Sequence, residues 1–216
     1  MISIVGIGAG GHAKVMLEIL RTDPGCRLIG LLDHNRELWG KEMTGVPVLG
    51  GDELLEKLFA EGVRHAFVGV GTVESARPRQ RLYELAVNTG FQVVSAVHPQ
   101  AVVSRSARIG IGVAIMAGAI INAAAQLGQN VIVNTGSVIE HDCIIGDHVH
   151  IATGALLAGG VRIGNGSHVG VGASVRQCVK IGCNSIVGAG ASVIRDVPDN
   201  VIVVGVPARI LRENTP

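Results

Sequence analysis

The sequence predicts two architectures in tandem: a small α/β domain over residues 1–98 and a parallel β-solenoid over residues 99–216. Three observations carry this. From Ala101 to Asp196 the chain repeats every six residues through sixteen unbroken blocks. Residues 1–98 instead alternate short apolar runs with helical spacings, and open on a glycine turn. Finally, aromatics make up only 2% of a chain that is 48% apolar, which suits a slim core of Val, Ile, Leu, Ala and Gly.

In chain order, Ile2 to Val5 is a short apolar strand running into Gly6, Gly8, Gly10 and Gly11. His12 to Arg21 then has helical spacing, with Val15, Met16, Ile19 and Leu20 on one side. Arg27 to Leu32 reads as a second strand ending at Asp33. Val46 to Leu49 is a brief extended piece which Pro47 confines to a sheet edge. Asp52 is the expected N-cap of a helix carrying Leu54, Leu55, Leu58 and Phe59. His65 to Val70 is a third strand, Gln80 to Asn88 the core of a helix stopped by Gly90, and Phe91 to Val97 a further strand leading to His98-Pro99. Strand alternating with helix means a parallel sheet.

In the hexads the third place is always aliphatic, from Val103 and Ile109 through Ile139, Ile145 and Ile151 to Val193. The first place is small or compact, as at Ala107, Cys143, Ser167 and Ala191. Six matches neither the 3.6-residue helix nor the two-residue strand alternation. A repeat this short means stacked rungs around a shared axis. Three six-residue faces make a coil of 18 residues, so positions 18 apart lie on top of one another. Glycine gathers at the fourth and sixth places (Gly110, Gly112, Gly164, Gly166), where corners need unusual φ/ψ. The register stops after Asp196; Val201 to Val204 is one more strand and Gly205 to Arg209 closes the coil.

A net charge of +1 argues against a nucleic-acid coat. Four cysteines without CxxC spacing suit a reducing cytoplasm, and Cys143, at an inward first place, reads as a small core residue. The start, MISIVGIGAGGHAKV, has no basic segment of the kind that opens a signal peptide, and no apolar run reaches the ~18 residues of a membrane span. The glycine turn Gly6-x-Gly8-x-x-Gly11, with Asp33 at the end of strand two, fits a dinucleotide fingerprint. A dinucleotide fold needs two mononucleotide halves, however, and only one precedes the repeats. A dehydrogenase is therefore disfavoured, while a phosphate or nucleotide at the helix N-terminus remains open beside a turn with no ligand.

The repeats, together with IEHDC (Ile139 to Cys143) and GVPARI (Gly205 to Ile210), resemble the hexapeptide-repeat acyltransferases, whose fold is a left-handed parallel β-helix. GAGGHAKV (Gly8 to Val15) and GLLDHN (Gly30 to Asn35) look like the Rossmann-like half domain of the NeuD/PglD-type sugar acyltransferases. That resemblance implies a nucleotide-sugar in the small domain, with Gly8, Gly10 and His12 near its diphosphate and sugar and Asp33 near its base or ribose. It also implies a homotrimer with acetyl-CoA between neighbouring coils and active sites shared across subunits. The family's Gly-Asp-Asn-like turn after strand three reads Gly69-Val70-Gly71-Thr72 here, a departure that leaves nucleotide choice open.

Four histidines fall in the repeats. His141 stacks by the 18-residue step between Ala123 and Gly159, both small, so a notch surrounds its imidazole; Asp142 follows directly and can orient it. The segment Asn134 to Asp142 resembles the family's active-site segment, in which the histidine is the general base, the next residue a carboxylate, and an Asn seven before and a His nine after take part; here these are Asn134 and His150. His148 and His168 are expected on the surface, and no metal is expected. The implied chemistry is direct acetyl transfer from acetyl-CoA to a nucleotide-linked 4-amino sugar in a ternary complex, with the N–H of Gly159 holding the oxyanion. Gly188, Gly190 and Arg209 would line CoA. O-acetylation of a sialic-acid-like sugar is the alternative within this chemistry. A non-catalytic scaffold and a zinc-dependent γ-class carbonic anhydrase are alternatives outside it.

Overall fold

The computed structural model describes residues 1–72 and 75–214, which group into two units. The first comprises Met1–Gly71 and Pro78–Ala96; the second comprises Thr72–Arg77 and Val97 onward. Among the described residues no helix is long and apolar enough to cross a membrane.

The first unit is a six-stranded sheet with helices α1 (Gly11–Arg21), α2 (Leu55–Ala60) and α3 (Arg77–Thr89). Its strands are β1 (Ile2–Ile7), β2 (Cys26–Leu32), β3 (Glu42–Met43), β4 (Val46–Gly50), β5 (His65–Val68) and β6 (Gln92–Val93), in the order β3-β4-β2-β1-β5-β6. All neighbours are parallel except β3 and β4. The central strand β1 buries Ile4, Val5 and Ile7 completely. On α1 the buried face is Ala13, Met16, Leu17, Ile19 and Leu20, whereas Val15, expected to be inside, is exposed.

Three further expectations are corrected. Pro47 does not put β4 at the edge, because β3 adds outside it; Val48, next to the proline, exchanges the backbone bonds (its N–H to Lys41, its carbonyl to Gly40), so the missing proline N–H costs nothing. Asp52 is not an α-helical N-cap: Gly51 precedes a 3₁₀ turn at Asp52–Leu54, and α2 starts only at Leu55. The expected strand Phe91–Val97 is two pieces, β6 and a separate β7 (Ala96–Val97) that joins a sheet of the second unit.

The second unit is a parallel β-helix. Every hexad contributes one two-residue strand formed by its second and third places, from Val102–Val103 to Ser192–Val193. The strands stack with an 18-residue register, as in Ile121 on Ile139 and His150 on His168, and build three sheets. We number the faces as the chain meets them around one coil: face 1 carries Ile132–Val133 and His150–Ile151, face 2 carries Val138–Ile139, and face 3 carries Ile144–Ile145. Third-place side chains such as Ile139, Ile151 and Val169 and first-place ones such as Ala155 and Val161 fill the axis with no exposure. Cys143 is among them, its thiol pushed up to about 11 by burial.

The corner glycines have two physical causes. At sixth places the backbone has positive φ, as in Gly166 at +69°. Non-glycine residues there adopt the same conformation, including Asp142 at +61° and His148 at +59°. At fourth places φ is ordinary and space is the constraint: a Cβ on Gly110 would lie 2.4 Å from the carbonyl oxygen of Gly128 one coil on. The coil ends with Val201–Val204 in parallel on Ile186–Val187, then an antiparallel strand Arg209–Glu213 that the hexad reading did not foresee.

Candidate active site

The corner between faces 2 and 3 carries His141 and Asp142. Adjacent residues of a strand point to opposite sides. The left-handed backbone of Asp142 brings the two together, and His141 Nδ1 lies 2.8 Å from Asp142 Oδ2. The carboxylate only accepts, so Nδ1 carries the hydrogen and Nε2 keeps its lone pair. The hydrogen bond to Asp142 is the largest effect on the ring and holds its pKa above the ordinary histidine value; desolvation opposes this, and the charges of Asp142 and Glu140 add to the rise. Glu140 is a contributor that the spacing argument missed; its Oε2 also accepts the N–H of His141 at 3.3 Å.

One coil on, Gly159 lies under the imidazole. A Cβ there would sit 2.6 Å from His141 Nε2 and 2.7 Å from Cε1, so the notch expected from the 18-residue step is present and the ring fills it. Gly159's N–H meets no acceptor among the described residues, whereas that of Gly160 donates to the His141 carbonyl. The same step climbs this corner from His141 through Gly159 and Gln177 to Arg195. Arg195 lines a cleft of about 140 Å³ with Asp196, Pro198, Ala208 and Arg209. The hexad register alone would have pointed to Arg195, three coils above His141.

Asn134 and His150 form a second pair, Asn134 at the corner between faces 1 and 2 and His150 on face 1. Asn134 Nδ2 is 3.2 Å from His150 Nε2, and His150 Nδ1 is 2.8 Å from the carbonyl oxygen of Thr72. Gly188 and Gly190 stand three coils up on the Asn134 corner and have structural causes of their own. A Cβ on Gly188 would press on Val204 at 2.7 Å, and Gly190 has φ +66°. One chain therefore brings His141 to Asp142 and Asn134 to His150, but holds the two pairs at opposite edges of face 2. The surface assignment of His148 is overturned, and His168 is only partly exposed. His148 is 7% exposed and bonded through Nδ1 to Asn130, because its left-handed corner conformation turns it onto the coil below. His168 packs edge-on against His150, and burial draws its pKa down to about 4. Among the described residues no three His, Cys, Asp or Glu side chains converge as a metal site would require.

In the first unit, Gly8, Gly10, His12 and Asp33 line a cleft of about 250 Å³ at the start of α1, together with Gly69 and Arg81. Gly8 has φ +101° and backs onto Val70, where a Cβ would meet Cγ2 at 2.5 Å. Gly10, by contrast, has nothing within 4 Å of a Cβ, so the space over it is open. Gly10 caps α1 without a side chain, leaving backbone N–H groups and the positive helix end facing the cleft. The Asp33 carboxylate is occupied within the turn: Oδ2 accepts Ala9 N–H at 2.7 Å and Oδ1 accepts Asn35 N–H at 2.8 Å. Sequence reasoning also missed Arg79. It is fully buried, drawn down to about 9 by desolvation, and donates to the carbonyls of Val68 and Val70 that frame the Gly69–Gly71 turn.

Residues 3–85 match the PglD N-terminal domain family, and residues 124–159 match the bacterial transferase hexapeptide (six repeats) family. The chain is 44% identical to a perosamine N-acetyltransferase from Caulobacter crescentus solved, as a His-to-Asn mutant, with CoA and GDP-perosamine; 96% of each chain is covered with a TM-score of 0.90. It is 38% identical to the acetyltransferase domain of PglB from Neisseria gonorrhoeae solved with acetyl coenzyme A, covering 97% of this chain and 98% of that one with a TM-score of 0.86. A curated relative, the UDP-N-acetylbacillosamine N-acetyltransferase of Bacillus subtilis, is 41% identical over 119 residues, 54% of this chain; the match spans about half that relative's length, 52%.

Proposed function

Because this chain belongs to the hexapeptide-repeat sugar acyltransferases with a PglD-type N-terminal domain and a left-handed β-helix, we propose that it transfers an acetyl group from acetyl-CoA to the amine of a nucleotide-linked 4-amino sugar. The observation that carries this is the His141–Asp142 pair seated on Gly159: a base with its outer nitrogen free, its tautomer fixed, and an unused N–H beside it. The amine attacks the thioester carbon as its proton passes to His141 Nε2. The oxyanion of the tetrahedral intermediate takes the N–H of Gly159. The C–S bond then breaks, and the departing CoA thiolate recovers the proton from His141.

CoA runs up the His141 corner in this reading. Three coils at ~4.8 Å each separate His141 from Arg195, about 14 Å along the axis, so the thioester rests at His141 while Arg195 and Arg209 meet phosphates. The nucleotide diphosphate lies on the α1 N-terminus, with Gly10 allowing close approach, His12 near the sugar and Asp33 holding the turn. Three copies complete the site. The outward column of face 2 is apolar at Val102, Ile120, Val138 and Leu156, with Val102 and Leu156 exposed. Turning that face to a threefold axis sets His141 of one copy beside Asn134 and His150 of the next, because the pairs occupy its opposite edges. Four free thiols and these substrates suit the cytoplasm.

The test is thiol release from acetyl-CoA with GDP- and UDP-linked 4-amino sugars and with free sialic acid, His141→Ala run alongside. Turnover of one amino sugar, lost in the variant and giving an amide product by mass spectrometry, is expected. Turnover of sialic acid alone would overturn the acceptor class.

A further inference from the structure

The two histidines at the proposed site differ in which nitrogens remain open. His141 offers a free Nε2. His150 does not: its Nδ1 faces the carbonyl oxygen of Thr72 at 2.8 Å, an atom that can only accept, so Nδ1 bears the hydrogen. The other side is decided by Asn134, whose amide orientation is fixed independently. Its Oδ1 accepts the backbone N–H of Thr135 at 2.8 Å, so the NH₂ end faces His150 Nε2 at 3.2 Å. Nε2 must therefore accept. A protonated ring would set two donors against each other, or flip the amide and lose the Thr135 bond. His168, edge-on at 4.8 Å between ring centroids and almost perpendicular, fixes the ring plane as a neutral neighbour.

We propose that His150 is a positioning residue, locked by Thr72 and His168 as a neutral Nδ1–H imidazole. Its one acceptor nitrogen aims the Asn134 amide, whose second N–H is donated to an oxygen of the bound ligand. The proposal rests on the acetyltransferase reading for the identity of that ligand, and it separates the site's histidines: His141 moves the proton and His150 does not. Because Asn134 presents a donor only, the partner atom is an acceptor; on the acetyltransferase reading it is an oxygen next to the reacting groups, either the carbonyl of acyl-CoA or a hydroxyl of the amino sugar.

The first test needs no substrate. Two-dimensional long-range ¹H–¹⁵N spectra of the full chain labelled at histidine, with His150 assigned by loss of its signals in His150→Gln, read the tautomer directly. A protonated-type Nδ1 and an unprotonated-type Nε2 at neutral pH are expected; an Nε2–H tautomer or an imidazolium would overturn the proposal whether or not the chain turns over any sugar. The second test is kinetic. His150→Gln retains an acceptor for Asn134 and is expected to keep the wild-type pH profile, with kcat within about tenfold; loss of a pH limb with a 10²–10⁴-fold fall in kcat, the scale of a lost acid–base group, would assign proton transfer to His150 instead. Asn134→Ala identifies the oxygen. A raised KM for acetyl-CoA places the bond on the thioester side, a raised KM for the amino sugar places it on the acceptor, and no change in either, with kcat intact, would sink the donor role.

Discussion

Gly159→Ala tests the proposed site with one methyl group. Gly159 has no positive φ, so alanine suits its backbone; only the space above it is contested. There the added Cβ would stand 2.6 Å from His141 Nε2 and 2.7 Å from Cε1. Ordinary contact needs about 3.5 Å, so the imidazole has to retreat by roughly 1 Å. It can do so by sliding outward or by turning about χ1, and either lengthens the 2.8 Å bond to Asp142. A reacting group misplaced by about 1 Å loses on the order of 10²-fold in rate. The ring is half exposed, so the fold loses little and the melting temperature is expected to stay within a few degrees. The backbone N–H of residue 159 survives, which separates displacement of the base from loss of the oxyanion donor. The assay is thiol release from acetyl-CoA with the active amino sugar in excess, alongside thermal unfolding. Activity within threefold of wild type would show that His141 does not work from the position seen here.

Asp142→Asn removes the carboxylate whose hydrogen bond and charge raise the His141 pKa; the base form of His141 then persists to lower pH, so the acidic limb of kcat/KM moves down in pH, while the plateau falls by about 10²-fold. A limb that stays in place would dissociate His141 from the profile. Gly10→Ala adds a methyl into open space, so stability is expected to hold while KM for the nucleotide sugar rises and KM for acetyl-CoA does not; equal binding by calorimetry would remove the α1 N-terminus from the nucleotide site. Leu156→Glu places a charge on the apolar column of face 2 and is expected to yield monomers in sedimentation with a folded far-UV spectrum and no activity; an intact trimer would rule out that face as the contact.

How much of this was legible in the sequence depended on how each residue is held. The hexad converts numbering into adjacency, so the meeting of His141 with Gly159 could be read from a difference of eighteen, and the inward row from Ile139 to Val169 from the third place alone. The burial of His148 and the partial burial of His168 could not. Period tells which way a second-place side chain leaves the coil, and nothing about what covers it; Thr72, seventy-eight residues before His150 in the chain, caps that ring. His148 is turned inward by a corner conformation shared by glycine, asparagine and aspartate, which the letter H does not announce. Arg79 lies in a helix with Arg77 and Arg81 and reads as one more solvated cation. Only the placement of the Val68 and Val70 carbonyls makes it the buried anchor of the glycine-rich turn.

The coil also explains why a base and its orienting carboxylate can be consecutive residues. In an extended strand they would face opposite ways. At a hexad corner the fifth place presents its side chain outward, and the sixth turns back through the left-handed region. After glycine, short polar residues tolerate that region best, because their side chains bond locally. Asp142 satisfies both demands, since the conformation that completes the corner is the one that delivers Oδ2 to His141 Nδ1. A longer carboxylate at this place would meet the same backbone requirement with more rotamers to fix. The rest of the chemistry follows from repetition. With glycine one coil on, the imidazole has its seat; on the proposed reading, arginine three coils on gives the corner a cation for the acyl carrier's phosphates, and the apolar face ending at that corner gives a second copy a reason to bring Asn134 alongside.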